Sequence, residues 1–346
     1  MKQAFFKNKR ILVTGACGTV GSELVEQLLR DYDISELIGI DNNESELFFT
    51  EQKFQNNDKA QFFIADIRDC EKLKHLMCGI DIVFHAAAYK HVILCEKSPF
   101  EAVQTNILGV RNIIQAAHDA QVSHVVFTSS DKAVNPTNVM GTSKLMGERL
   151  ITAANSDFHD CQTRFISTRF GNVLGSRGSV IPIFREQIKN GGPVTLTDKQ
   201  MTRFIMSIDE AVRLVIDSAF FAKGGEVFVT KMPVIQIIDL AKVMIQELAP
   251  KYGKNPEDIK IKIIGSKPGE KLYEELMTDE ETPRTTELER YFSVSPAYKP
   301  MNRNIDYSYE GAISGTVDNA YNSANETKMT QDELKDFLYN NKLIEE

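Results

Sequence analysis

The stretch Arg10-Ile11-Leu12-Val13-Thr14-Gly15-Ala16-Cys17-Gly18-Thr19-Val20-Gly21 decides the fold. Arg10 to Thr14 is a short apolar, β-branched run and reads as a buried strand. Three glycines follow, and residues 19–30 then carry Val20, Leu24, Leu28 and Leu29 on one helical stripe. A glycine turn between strand and helix lets the backbone approach a pyrophosphate. The helix N-terminus meets that group with unpaired N–H groups and a partial positive charge. Such a turn can also serve packing alone, but its place between strand and helix favours a dinucleotide site. Gly15, Cys17, Gly18, Thr19, Val20 and Gly21 are therefore candidate cofactor contacts.

Outward from this turn, apolar runs over 37–40, 61–64, 80–85 and 125–128 read as further strands. Helical patterns over 45–54, 68–77 and 105–120 separate them. Strands alternating with helices predict an α/β fold, a doubly wound parallel sheet with ligands at the edge where the strands end. Beyond Asn135 the pattern predicts helices over 141–153, 180–189, 207–222 and 235–248, strands over 164–169 and 226–230, and a glycine-rich loop over 171–178. Residues after Pro296 turn polar, either an ordered arm or a flexible tail, with a last helix-like piece over 330–339.

Composition narrows the function. The 346 residues suffice for about two domains' worth of core. At 42% hydrophobic and 25% charged, the chain is of ordinary globular composition. A net charge of −8 disfavours a nucleic-acid partner, because phosphate binding needs a positive field. The longest apolar stretches, 80–88 and 122–128, are far short of the about 20 residues of a membrane helix. No secretory leader is evident, so no membrane insertion and a cytoplasmic location are expected. Cys17, Cys70, Cys78, Cys95 and Cys161 form no CxxC pair and read as reduced thiols. The six histidines lack metal-ligand spacing, so no metal is expected.

Asp41 directly follows the second strand, 20 positions beyond Gly21. A carboxylate there can accept the ribose hydroxyls of NAD and repel a 2′-phosphate, and Asn42 to Ser45 bring no cation to reverse that preference. It can alternatively cap the next helix. Asp66, with Ile67, follows the third strand and fits an adenine contact or, again, a cap. Ala86 and Ala87 follow the fourth strand, against the cofactor. Ser129-Ser130-Asp131-Lys132 follows the fifth, and Met140-Gly141-Thr142-Ser143-Lys144 comes next. The GxxGxxG spacing resembles that of the short-chain dehydrogenase/reductase superfamily. There this region carries Tyr-x-x-x-Lys on one helix face. Met140 occupies the Tyr position and cannot transfer a proton.

Four longer strings are more specific: 85–92 (HAAAYKHV), 130–141 (SDKAVNPTNVMG), 169–180 (RFGNVLGSRGSV) and 267–276 (KPGEKLYEEL). Together they resemble the nucleoside-diphosphate-sugar 4,6-dehydratases of the polysaccharide-biosynthesis type, which act on UDP-N-acetylglucosamine, over residues 9–291. The resemblance implies an extended short-chain dehydrogenase/reductase fold and bound NAD. It divides the chain into a cofactor domain over 1–171, to which 206–231 returns, a nucleotide-sugar region over 172–205 and 232–296, and an arm over 297–346. Some relatives carry membrane helices ahead of this domain, and some have Met at the Met140 site, so Met140 does not imply a dead enzyme.

Such a reaction oxidises C4, removes the acidified C5 proton, expels the C6 hydroxyl as water and returns the hydride to C6. By the resemblance Lys132 is the base at C5 and Asp131 the acid at O6. That division requires a lowered pKa at Lys132, from Lys144 and the nicotinamide, and a raised one at Asp131. Lys144 would hold the nicotinamide ribose. Ser129, Ser130, Asp131 or a water is left to take the O4 proton. Lys90, His91, Asn172, Arg177, Ser179, Arg203, Lys267, Glu270 and Lys271 are candidate substrate contacts. A homo-oligomer is expected, and an acidic residue at position 41 goes with the C5-retaining branch. Alternatives are a GDP-linked substrate, a nucleotide-sugar 4-epimerase or reductase, and a catalytically silent nucleotide-binding protein.

Overall fold

The computed structural model describes residues 1–157, 162–176, 178–266, 268–298 and 305–344. Nine strands form its main sheet: β1 (Arg10–Thr14), β2 (Glu36–Asp41), β3 (Ala60–Ile64), β4 (Ile82–His85), β5 (His124–Thr128), β6 (Arg164–Arg169), β7 (Val227–Thr230), β8 (Thr285–Glu287) and β9 (Tyr291–Val294). They lie in the order β8-β9-β7-β6-β5-β4-β1-β2-β3. The run from β3 to β7 is parallel. At the far edge β9 pairs antiparallel with β7 and β8 with β9. Winding reverses between β1 and β4, which leaves a crevice at their carboxyl ends where a ligand can enter.

Alternation along β1 explains the layers. Ile11 and Val13 join an apolar cluster with Leu24 and Leu28 of helix α1 (Thr19–Asp31) and with Val212 and Val215 of α4 (Ile208–Phe221). Leu12 points the other way, into a second cluster with Ile113 of α2 (Gly109–Asp119) and Ile151 of α3 (Val139–Asp157). Both faces of the sheet are therefore covered, which a parallel sheet requires.

Three details depart from the sequence pattern. The helix expected over 105–120 opens with a π-helical turn, Gln104–Leu108, before α2. The loop expected over 171–178 contains a two-residue strand, Asn172–Val173, paired parallel with the strand Thr202–Met206. Two residues carry too little pattern to be seen in sequence. Of the segment after Pro296, the described residues 305–344 pack on the rest of the chain. Leu334 and Leu338, one turn apart on the helix Gln331–Asn340, are buried in a third apolar cluster with Phe184 and Leu240, and Tyr309 donates to Glu226 at 2.8 Å.

A buried ion triad ties these parts together. Arg169 donates to Glu148 at 2.7 Å and to Glu281 at 2.8 Å, each side chain at most 5% exposed. Arg169 ends β6, Glu148 lies on α3, and Glu281 belongs to the later chain, so the triad ties β6 and α3 to the segment that follows residue 277.

Candidate active site

The glycine turn leaves no space for side chains. Gly15 has φ +67°, and a Cβ there would lie 2.7 Å from the Ala87 nitrogen. A Cβ on Gly21 would lie 2.0 Å from the Gly15 carbonyl oxygen. Gly18 caps α1 without a side-chain hydrogen bond, and Gly18, Thr19, Val20 and Gly21 line the cleft. An uncapped helix start behind a glycine cradle fits a pyrophosphate.

Asp41 anchors the same turn, accepting from the Cys17 N–H and the Asn43 N–H, both at 3.0 Å. The cap of the next helix is Asn43, so capping does not account for Asp41. Asp69 likewise caps the helix Cys70–Leu76, freeing Asp66 of that role. Asp66 pairs with Arg68 at 2.7 Å, and this guanidinium holds its carboxyl below the usual range. Arg68 also reaches Glu101 at 3.0 Å. Burial pushes the Cys17 thiol up to about 11, which leaves it protonated and inert. Ile67 is buried and receives Gly109 against its side chain, a packing role.

At the end of β5 the chain turns sharply. Asp131 N–H donates to the Phe170 carbonyl at 3.1 Å, and Asp131–Ala133 forms one 3-10 turn. This turn brings together two side chains that sequence adjacency alone does not place on one face. Lys132 Nζ lies 3.1 Å from Asp131 Oδ1 and 3.2 Å from Oδ2. Ser130 Oγ donates to Asp131 Oδ1 at 2.5 Å.

The electrostatics depart from expectation at Lys132. Burial works against its ammonium, but the carboxylates of Asp131 and Glu274 outweigh burial and hold its pKa above the ordinary lysine value. Lys144 does not supply the lowering. Instead Lys144 is itself the depressed lysine, 6% exposed and brought down to about 8 by burial. Its Nζ donates to the Thr128 carbonyl at 2.9 Å and sits 4.7 Å from the centre of the Phe127 ring.

Met140 is buried with Cys95 and Ala102 and still borders the cleft, so it is apolar packing at the Tyr position. His85, at the end of β4, shares a 2.7 Å hydrogen bond with Thr14, and its pKa falls to about 3 through burial and Lys144.

Two adjoining cavities form the cleft. One, about 610 Å³, runs from the glycine turn past Ala86, Met140 and Lys144 to Asn172 and Ser179. The other, about 580 Å³, holds Arg203, Glu270, Lys271 and Glu274. Lys132, His91 and Asn172 border both, and Lys90 borders the first. Ser129 Oγ, Asn172 Oδ1, Ser179 Oγ and Glu274 Oε2 are buried without a hydrogen-bond partner among the described residues. Buried polar atoms are rarely left so, and four around one cleft suit a polar ligand.

Two sequence candidates are otherwise engaged. Arg203 is 6% exposed and donates to the Thr202, Leu272 and Lys271 carbonyls. The Lys271 ammonium donates to the Val134 carbonyl at 2.7 Å. Arg177, Lys267 and Cys161 lie outside the described residues. Glu274 was not singled out from sequence. Its signal was the alternation that places it on the buried face with Leu276, while Tyr273 is exposed. Among the described residues, no three His, Cys, Asp or Glu side chains cluster as metal ligands, and no helix is long and apolar enough to cross a membrane.

Comparison with known proteins gives this geometry relatives. The family model described as "Polysaccharide biosynthesis protein" matches residues 11–296. An uncharacterized membrane protein of Methanocaldococcus jannaschii is 52% identical, over 88% of this chain and 91% of its own. The inverting UDP-N-acetylglucosamine 4,6-dehydratase of Campylobacter jejuni is 38% identical, over 88% of this chain and 87% of its own. A UDP-glucose 4-epimerase of Rickettsia felis is 36% identical, over 99% and 98%. The crystal structure of Pen from Bacillus thuringiensis superimposes with a TM-score of 0.90 at 42% identity, covering 98% of this chain and 99% of that one.

Proposed function

The chain belongs to the polysaccharide biosynthesis protein family, and from that membership we propose that it is an NAD-dependent 4,6-dehydratase converting UDP-N-acetylglucosamine to a UDP-4-keto-6-deoxy sugar for surface glycan or nonulosonic acid synthesis. The observation that carries this reading is the Asp131–Lys132 pair, in contact at 3.1 Å where the two cavities meet. A dehydratase needs a base at C5 and an acid at O6. A 4-epimerase works at C4 and O4 alone and has no use for a C5 base beside an O6 acid.

Bound NAD would supply reversible hydride transfer at the sugar's C4 and C6. Gly15 to Gly21 would hold its pyrophosphate, Asp41 its adenosine ribose and Lys144 its nicotinamide ribose. Lys132 removes the C5 proton and Asp131 protonates O6 as the C6–O bond breaks. Ser129, whose Oγ is buried without a hydrogen-bond partner among the described residues, is a nearby hydroxyl that can relay the O4 proton outward to solvent as C4 is oxidised. Lys90, His91, Asn172, Ser179, Glu270 and, from sequence, Arg177 and Lys267 remain the proposed substrate contacts. Residues 1–171 and 206–231 act as the cofactor unit, and 172–205 with 232–296 as the sugar-nucleotide unit. We assign the enzyme to the cytoplasm, where thiols such as Cys17 and Cys95 stay reduced. Exposed Phe100 supports a homo-oligomer.

The test is incubation with UDP-N-acetylglucosamine in deuterated water. Mass spectrometry should report loss of one water, and NMR a deuterium at C5. The retention associated with Asp41 predicts an unchanged C5 configuration, whereas the C. jejuni relative is named inverting. An L-arabino product refutes retention. Epimerised product with no water loss refutes the dehydratase reading.

A further inference from the structure

The family match ends at residue 296, but two walls of the cleft rest on residues beyond it. The first contact is at Ser323, which is fully buried. Its Oγ accepts the Glu274 N–H at 2.9 Å and shares a 2.9 Å hydrogen bond with Thr202 Oγ1, while its own N–H donates to the Glu274 carbonyl at 2.9 Å. The Thr202 N–H donates in turn to the Leu272 carbonyl at 2.9 Å, and the Arg203 guanidinium donates to the Leu272 and Lys271 carbonyls. One serine therefore joins the start of the strand Thr202–Met206 to the segment 271–274. Those two segments carry Arg203, Lys271 and Glu274, which line the second cavity.

The second contact lies further along the arm. Leu343 packs on Gly175 so closely that a Cβ there would lie 2.8 Å from Leu343 Cδ2. Arg185 donates to the Leu343 carbonyl at 2.7 Å, and the next residue, Ile344, is buried in the third apolar cluster. Gly175 belongs to the loop between Asn172 and Ser179, whose Oδ1 and Oγ are buried without a hydrogen-bond partner among the described residues.

The wall at Ser323 needs accurate placement because it is charged. Glu274 Oε1 lies 3.6 Å from Arg203 Nε and 3.8 Å from Lys132 Nζ, and Asp131 stands 3.1 Å from the same ammonium, so two carboxylates meet two cations. Moving the Glu274 backbone would disturb both of its ion pairs at once. Its Oε2 has no hydrogen-bond partner among the described residues, and the residue borders the cavity, which suits it to accept a hydroxyl of a polar ligand.

We propose that the arm is a working part of the substrate pocket: Ser323 is a positioning residue that holds the Arg203–Glu274 wall in its ligand-binding shape, and Leu343 supports the Asn172–Ser179 loop in the same way. This rests on the reading of the second cavity as the nucleotide-sugar site. A wall already in place costs the ligand nothing to order, whereas a loosened wall is ordered at the expense of affinity. Gly15 to Gly21, Asp41 and Lys144, the groups that would hold NAD, take no part in these contacts. Loss of a contact from the arm therefore weakens binding of the nucleotide sugar selectively.

Two measurements on the full-length, NAD-loaded protein test this: calorimetric titration with UDP and steady-state kinetics of water loss from UDP-N-acetylglucosamine. Ser323→Ala removes one hydroxyl and strands the Glu274 N–H. It should raise the Kd for UDP and the KM for the sugar nucleotide about tenfold, with kcat within about threefold and NAD affinity within about twofold of wild type. Leu343→Ala should raise the same two constants about threefold, and the two effects should multiply in the double variant because the residues act on separate walls. An unchanged Kd and KM in folded Ser323→Ala overturns the proposal. So does a fall in NAD affinity equal to that for UDP, which would mean a general loosening of the fold. Should Ser323→Ala not fold, Leu343→Ala, whose side chain is only partly buried, carries the decision through the same two constants. Wild type that binds UDP but releases no water from UDP-N-acetylglucosamine overturns the dehydratase reading itself, and the UDP titration then still decides the role of the arm. Wild type with no affinity for UDP overturns both.

Discussion

Gly141 packs its Cα against the Lys132 carbonyl so closely that a Cβ there would lie 2.2 Å from that oxygen. Gly141 is in the first turn of α3, the helix that also carries Met140 and Lys144. The helix start therefore rests directly on the turn that aims Asp131 and Lys132.

Gly141→Ala should push that turn aside. A displacement near 1 Å can cost about a hundredfold in rate. We expect a kcat loss of that order with cofactor affinity within about threefold of wild type, and a stability loss of about 1–3 kcal/mol from overpacking. Steady-state kinetics, cofactor titration and urea unfolding measure these. Wild-type kcat would show that the turn tolerates the shift.

Cofactor choice should follow Asp41. Its two oxygens hold the Cys17 and Asn43 N–H groups, and Arg68 is committed to Asp66 and Glu101, so it is not available to a 2′-phosphate. NAD should bind more tightly than NADP. Asp41→Ser with Asn42→Arg should reverse that order, since it removes the repelling carboxylate and adds a cation. Isothermal titration of the cofactor-free protein decides it. Tighter NADP binding by the wild type would defeat the assignment.

The parts of the site that sequence makes legible are those set by local geometry. A strand, three glycines and an amphipathic helix specify the cofactor turn, because backbone approach demands glycine at positions such as Gly15 and Gly21. Asp131 and Lys132 are legible from a long motif, although their contact depends on a 3-10 turn that no periodicity shows. Glu274 lies 142 positions beyond Lys132 in sequence and meets it only through the fold. The direction of the Lys132 shift was hidden for the same reason, since the second carboxylate that sets it comes from a distant segment. Arg203 reads only as a substrate contact in sequence, and its three hydrogen bonds to carbonyls beside the second cavity come from segments that no local pattern shows.

Separate substitutions should divide the reaction. Lys132→Ala should block water loss and C5 deuterium exchange while some C4 oxidation persists, visible as reduced cofactor by absorbance. Asp131→Asn should slow elimination more than C5 exchange, because exchange needs only the base. Loss of a positioned acid or base costs about a hundredfold to ten-thousandfold. Met140→Ala should cost less than about tenfold in kcat, yet about 2–5 kcal/mol in stability through its packing on Cys95 and Ala102. A near-normal rate for Lys132→Ala with an inactive Met140→Ala would reverse these roles.

Lys144 offers a pH test of burial. Its pKa falls from the ordinary 10.5 to about 8 because burial disfavours the ammonium. In the pH range between those values the unfolded chain binds more protons than the folded one, so the stability of wild type rises with pH there. The burial penalty, on the order of 3 kcal/mol, is present in full below pH about 8 and is relieved as pH climbs toward 10.5. Lys144→Met removes that penalty but strips the Thr128 carbonyl of its donor, a loss of about 1–3 kcal/mol. Near neutrality the two effects roughly offset. The stability of the variant relative to wild type should then fall with rising pH, by up to about 1.4 kcal/mol per unit. Cofactor affinity should fall by about tenfold or more at pH 7, since no ammonium remains for the ribose hydroxyls. Urea unfolding of cofactor-free protein from pH 7 to 10 tests the first effect and NAD titration the second. A stability difference flat in pH would mean that Lys144 keeps an ordinary pKa despite its burial.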